Sequence, residues 1–96
     1  MGTEAPKFDW DDSNRDHLAL HNISPEEAEQ AILDPHAVLL EIQVGSSEER
    51  TKVLGITRSG RILTVVFAFR DDAVRTITAY TATTRLQNIY LERRGI

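Results

Sequence analysis

Residues 50–69, Arg50-Thr51-Lys52-Val53-Leu54-Gly55-Ile56-Thr57-Arg58-Ser59-Gly60-Arg61-Ile62-Leu63-Thr64-Val65-Val66-Phe67-Ala68-Phe69, decide the fold class. Two runs rich in β-branched and aromatic residues, Arg50–Thr57 and Ile62–Phe69, flank the polar, glycine-bearing link Arg58-Ser59-Gly60-Arg61. A link this short cannot carry a crossover, so the two strands must be antiparallel neighbours. The second run is nearly all apolar, which predicts a strand buried on both faces at the centre of the sheet.

Working outward, Val38, Leu40, Ile42 and Val44 alternate with Leu39, Glu41 and Gln43. That period of two predicts a strand with one wet face. Gly45-Ser46-Ser47-Glu48-Glu49 returns the chain, Asp71-Asp72-Ala73 makes a second short turn, and Val74–Tyr80 reads as a fourth strand, with Lys7–Trp10 as a further edge strand. Helices flank the sheet. Asp11 or Asp12 can cap a first helix through about Leu20, its carboxylate accepting free amide protons at the positive helix end. Ser24-Pro25-Glu26-Glu27 starts a second: serine at the cap, proline at the first helical position, glutamate three residues after the serine, and Ile23 placed to staple against Ala28. Asp34-Pro35 ends it after about Leu33. Thr84-Arg85-Leu86-Gln87 reads as the capping box of a terminal helix carrying Leu86, Ile89 and Tyr90 on one side. The predicted architecture is α+β: two N-terminal helices, an antiparallel meander of about four strands, and a C-terminal helix. A chain of 96 residues suits one domain over 1–96, with 1–6 as a loose tail.

The net charge of -4 conceals a division. Residues 1–49 hold 2 basic and 12 acidic side chains (-10), and residues 50–96 hold 9 basic and 3 acidic ones (+6). A basic second half suits a polyanion such as RNA, or an acidic protein. Alternatively, the two halves attract each other across the folded surface. Zero cysteines exclude thiol catalysis, disulfides and cysteine zinc sites. No apolar run approaches a membrane span, and Met1–Lys7 lacks the regions of a signal peptide, so a soluble cytoplasmic protein without membrane association is expected.

Candidate chemistry falls into three groups. His17 and His21 lie four apart on the first helix and so share a face. That spacing suits two ligands of one metal, but no third ligand accompanies them and the metalloprotease glutamate is absent, so neither a metal nor any other cofactor is assigned. One imidazole could instead pack beneath the sheet or bond a backbone carbonyl, or it could move protons. Arg58, Arg61, Arg70, Arg75 and Arg85 sit at turns and strand ends that a meander can gather on one surface. Guanidinium groups clamp phosphates and stabilise a pentacoordinate phosphorane, although each arginine alone also fits a solvated surface. Tyr80 ends the fourth strand and its hydroxyl can donate a proton or orient a ribose hydroxyl, whereas Tyr90, in register with Leu86, fits the core, and Trp10 fits an anchor for the first helix.

The chain resembles the BrnT-type toxins of bacterial toxin–antitoxin pairs. Phe8, Trp10, Asp11, Asn14, His17, His21, Ile23, Ser24, Glu26, Glu27 and Ala28 fill the family's opening pattern. Gly55, Thr57, Gly60, Arg61, Leu63, Val65, Val66 and Phe67 fill its middle, and Arg70, Arg75, Ile77, Ala79, Ala82, Thr83 and Tyr90 its close. The resemblance implies a RelE-like fold, metal-independent RNA cleavage that inhibits translation, and neutralisation by a cognate BrnA-like antitoxin, the complex repressing its own promoter. The chain departs from the pattern twice. Tyr80 stands where the family usually has arginine, and Leu86 where it usually has glutamate early in the final helix.

Two functions therefore stand at this point. One is a ribonuclease toxin acting on RNA, free or on the ribosome, with Arg61, Arg75, Tyr80 and His21 as catalytic candidates and Arg58, Arg70 and Arg85 as RNA contacts. The other is a catalytically lapsed relative that binds an antitoxin or a DNA-binding partner.

Overall fold

The computed structural model describes residues 6–45 and 48–95. The expected tail therefore lies, apart from Pro6, outside the described residues, as do Ser46 and Ser47 of the expected turn. The elements run β1 (Lys7–Phe8), α1 (Asp12–Ala19), α2 (Pro25–Ile32), β2 (Val38–Val44), β3 (Glu49–Ile56), β4 (Ile62–Arg70), β5 (Ala73–Thr81) and α3 (Thr84–Arg94). The strands form one five-stranded sheet in the order β1-β5-β4-β3-β2. β2 to β5 are the antiparallel meander, with the apolar β4 at the centre, and β1 adds a short parallel pairing to β5.

Local signals account for most of these boundaries. Asp11 caps α1 in a reciprocal box with Asn14, and Ser24 caps α2 in another with Glu27. Asp71 and Asp72 both take left-handed backbone angles (φ 52 and 66), as a two-residue hairpin turn with the twist of its strands requires. The cap of α3 lies one residue earlier than the sequence suggests. Thr83, extended at ψ 161, accepts the Leu86 N–H, which leaves Gln87 beyond capping-box range, and its amide instead donates to the Ala82 carbonyl at 2.8 Å.

The sheet carries helices on both faces. Leu18, Ile23, Ala28 and Ala31 pack with Val53, Leu63, Val65, Phe67, Val74 and Ala79, while Val38, Leu54, Ile62, Ala82 and Tyr90 form the core beneath α3. Gly55 lets α2 lie this close. A Cβ built there would stand 2.0 Å from the Ala31 carbonyl oxygen, which only a glycine avoids.

Two bulges change which face residues take. On β2 the register shifts between Leu39 and Glu41, so Val38 pairs with Leu54 whereas Ile42 pairs with Thr51. Cross-strand partners share a face. Val38 and Leu40 thus join the α3 side, while Ile42 and Val44 turn to the other face and stand 50% and 82% exposed, so the expected alternation with one wet face does not hold. On β5 a second shift between Val66 and Phe67 leaves Ile77 without a counterpart and places Thr76 and Thr78 on opposite faces.

Candidate active site

Beyond its two-residue pairing with β1, the outer margin of β5 is lined by α1 and the residues that follow it. At the lower end Arg75, its side chain only 12% exposed, bridges Asp11 at 3.0 Å and Asp9 at 3.4 Å. One step on, the buried Asn14 donates to the Thr76 carbonyl at 3.2 Å and to the Asp9 carbonyl at 2.9 Å, clamping α1 to the strand. Then His17 Nε2 lies 3.1 Å from Thr78 Oγ1, and the His21 ring stands 6.1 Å from the Tyr80 ring and 5.8 Å from that of His17. At the upper end Arg61 Nη1 donates to Glu27 at 2.8 Å and to the Asn22 carbonyl at 3.1 Å, while its Nη2 donates to Thr81 Oγ1 at 3.2 Å. The result is a strip with a guanidinium at each end and two imidazoles and a phenol between them.

The bulge puts Tyr80 on the same face of β5 as Arg75 and Thr78, at the edge where His17 and His21 reach it. Ala79 and Thr81, paired with Val65 and Leu63, take the α1/α2 face, so Tyr80 takes the other, opposite Thr64. A cleft of about 290 Å³, lined by Ser13, Asn14, His17, Arg75, Thr76 and Ile77, opens beside Arg75 and His17. A larger one, about 480 Å³, lies between α2 and the β3–β4 turn beside Glu26, Glu29 and Asp34, an acidic lining unsuited to phosphate.

Electrostatics at the strip follow from its pairs. The hydrogen bond from Arg75, with another from the Asn14 N–H, holds the Asp11 carboxyl below the usual carboxylate range, and the same contact raises Arg75 further. The Ser24 N–H, and after it Arg61, hold Glu27 low against the opposing effect of burial. Arg75 and the carboxyls of Asp11 and Glu27 are therefore charged at neutral pH. All five close ion pairs among the described residues join an acid of residues 1–49 to a base of residues 50–96, so the charge division is met in good part within the fold.

Four of the residues singled out from sequence, Arg61, Arg75, Tyr80 and His21, come together along β5. Arg58, Arg70 and Arg85 do not join them. Arg58 lies in the β3–β4 turn, its N–H bonded to Gln30; Arg70 ends β4 beside Glu48; Arg85 is exposed on α3. Neither His17 nor His21 is buried, and His17 bonds a threonine hydroxyl rather than a backbone carbonyl. Leu86 packs into the core beneath α3, as does the fully buried Tyr90, whose hydroxyl donates to Asp34. That link, and the His17–Thr78 contact, were not legible in the sequence because their partners are 56 and 61 residues apart.

A small α+β protein that presents imidazole, phenol and guanidinium groups along one outer strand has the side chains that metal-free phosphodiester chemistry uses. The chain belongs to the BrnT family: its residues 10–85 match the family model described as the ribonuclease toxin, BrnT, of a type II toxin–antitoxin system. The match takes in Asp11, Asn14, His17, His21, Glu27, Arg61, Arg75 and Tyr80 of the strip but not Asp9, and the family implies a cognate antitoxin as partner. No curated protein matches the chain. Among the described residues no helix is long and apolar enough to cross a membrane.

Proposed function

We propose that this protein is the toxin of a type II pair, a metal-independent endoribonuclease that cleaves cytoplasmic RNA, free or on the ribosome, and so inhibits translation. The observation that carries this reading is the β5 strip, in which Arg61 and Arg75 bracket His21 and Tyr80. Arg61, at the His21–Tyr80 end of the strip, turns from Glu27 to the scissile phosphate and neutralises the phosphorane, while Arg75, at the other end, holds a neighbouring phosphate of the same strand. His21 takes the proton of the ribose 2′-hydroxyl as that oxygen attacks phosphorus. The bond from phosphorus to the 5′ oxygen breaks, and Tyr80 donates the proton that the leaving oxygen acquires. The products are a 2′,3′-cyclic phosphate and a 5′-hydroxyl end. Arg58, Arg70 and Arg85, outside the strip, hold the flanking RNA in this reading.

The test is tightly induced expression in a bacterium lacking the antitoxin, with primer extension on total RNA. Growth arrest with discrete new 5′ ends, both abolished by Arg61→Ala/Arg75→Ala in a protein that still folds, is the expected result. Full toxicity of that double variant removes this site.

A lapsed binding module is the second reading, favoured by the two arginines being already held by Glu27, Asp9 and Asp11 and by Leu86 packing into the core. Toxicity gained by Tyr80→Arg/Leu86→Glu from an inert wild type supports it; no gain counts against it.

A further inference from the structure

Among the described residues β2 is the last strand of the sheet, so along Val38–Val44 one set of backbone N–H and C=O groups has no strand beside it. Proteins usually guard such an edge with lysine, proline or a covering element. Val38–Val44 carries a single charged residue, Glu41, and no proline, and its bulge lies near one end, leaving Glu41–Val44 in regular register with Lys52–Glu49. The same bulge puts Ile42 and Val44 on the face of α1 and α2. Leu39, paired with Val53, shares that face at 57% exposure, as does Phe69, paired with Val74, at 66%. The helical layer stops short of this margin because α2 is seated at the other end of β3, over Gly55. An open edge and an uncovered apolar margin thus coincide.

We propose that this edge is where the antitoxin docks, adding an extended segment beside β2 as a sixth strand and laying apolar side chains over Leu39, Ile42 and Val44. Charge favours a different chain over a second copy of this one. The midpoint of Val38–Val44 is Glu41, so two copies paired antiparallel in full register set Glu41 against Glu41, and like charges directly opposite destabilise a sheet. Glu41 accepts from the neutral Gln43 side chain at 3.1 Å but has only a loose cationic contact among the described residues, Lys52 at 3.7 Å, and Glu49 lies beside the end of the strand, opposite Val44, so the incoming segment carries lysine or arginine opposite Glu41. The proposal rests on membership of a type II family, not on the ribonuclease reading.

The probe is the protein encoded beside this chain, purified with it as a complex. Hydrogen exchange is compared between the complex and the free chain, and binding is titrated with Ile42→Lys/Val44→Lys, both exposed positions whose change leaves the urea midpoint in place. Slowed exchange at residues 41–44 and about a hundredfold weaker binding, roughly tenfold per apolar contact replaced by a charge, are expected. Unprotected β2 amides, unchanged affinity, or no complex at all overturn the proposal. A dimer of the free chain that the double variant dissolves assigns the edge to a second copy instead. RNA cleavage is not read in any arm, so failure of the ribonuclease reading and failure of this one are distinguishable.

Discussion

Replacing Arg61 and Arg75 together by alanine is expected to lower the salt dependence of RNA binding by a defined amount. Each guanidinium in the proposed site holds one phosphate. For single-stranded nucleic acid each such contact contributes about 0.7 to the slope of log K against log salt, so the double variant loses about 1.4. Between ~50 and ~200 mM salt the wild type should therefore lose about sevenfold more affinity than the variant. The assay is fluorescence anisotropy of a labelled single-stranded RNA of mixed sequence across a salt series, in a His21→Ala/Tyr80→Phe background that keeps the RNA intact. Arg61→Lys/Arg75→Lys, which keeps the charge, should keep the slope, and urea unfolding checks that all variants are folded. Equal slopes for wild type and the alanine variant would refute the placement of phosphates on these arginines.

Gly55→Ala should destabilise the protein by roughly 3 kcal/mol or more, since its Cβ meets backbone atoms of Ala31 and the whole of α2 must shift; a urea midpoint within error of wild type would contradict this. Tyr90→Phe should lower stability by about 2 kcal/mol by removing a donor to a carboxylate, again read from urea unfolding. Burial, and then the bond to Asp34, push the Tyr90 hydroxyl up to about 12, so its contribution is intact below the ordinary value of 10 and is lost as pH rises from 10 through 12; the alkaline fall should be shallower in Tyr90→Phe. Asp34 shifts the other way: burial alone raises it, but bonds from Tyr90 and from the His36 and Ile56 N–H groups outweigh burial and lower it below 3.8. Its contribution is therefore present above that value and lost as pH falls through the lowered one, and unfolding curves for Asp34→Asn should show a flatter acid limb.

The sequence by itself determined the elements and much of their order. Asp11 with Asn14 and Ser24 with Glu27 act over three residues, Asp71-Asp72 over two, and the unbroken apolar run Ile62–Phe69 can be satisfied only at the centre of a sheet. Such signals are local, so they survive without knowledge of the partners. Of the candidate site, the residue types and the nearness of His17 to His21 were legible, but α1 ends at Ala19, so His21 sits in the turn that follows, its N–H bonded to the Leu18 carbonyl, and not on the helix face expected for it. Tertiary structure decided the faces and the neighbours. A bulge exists only relative to the strand beside it, and one extra residue reverses every side chain that follows, which is why Tyr80 shares a face with Arg75 and Ile42 and Val44 face outward against the alternation of their own strand. In the same way the need for glycine at 55 comes from Ala31 on another element, and the partners of Arg61 and Arg75 come from acids 34 and 64–66 residues away, contacts that arise only when the halves of the chain fold together.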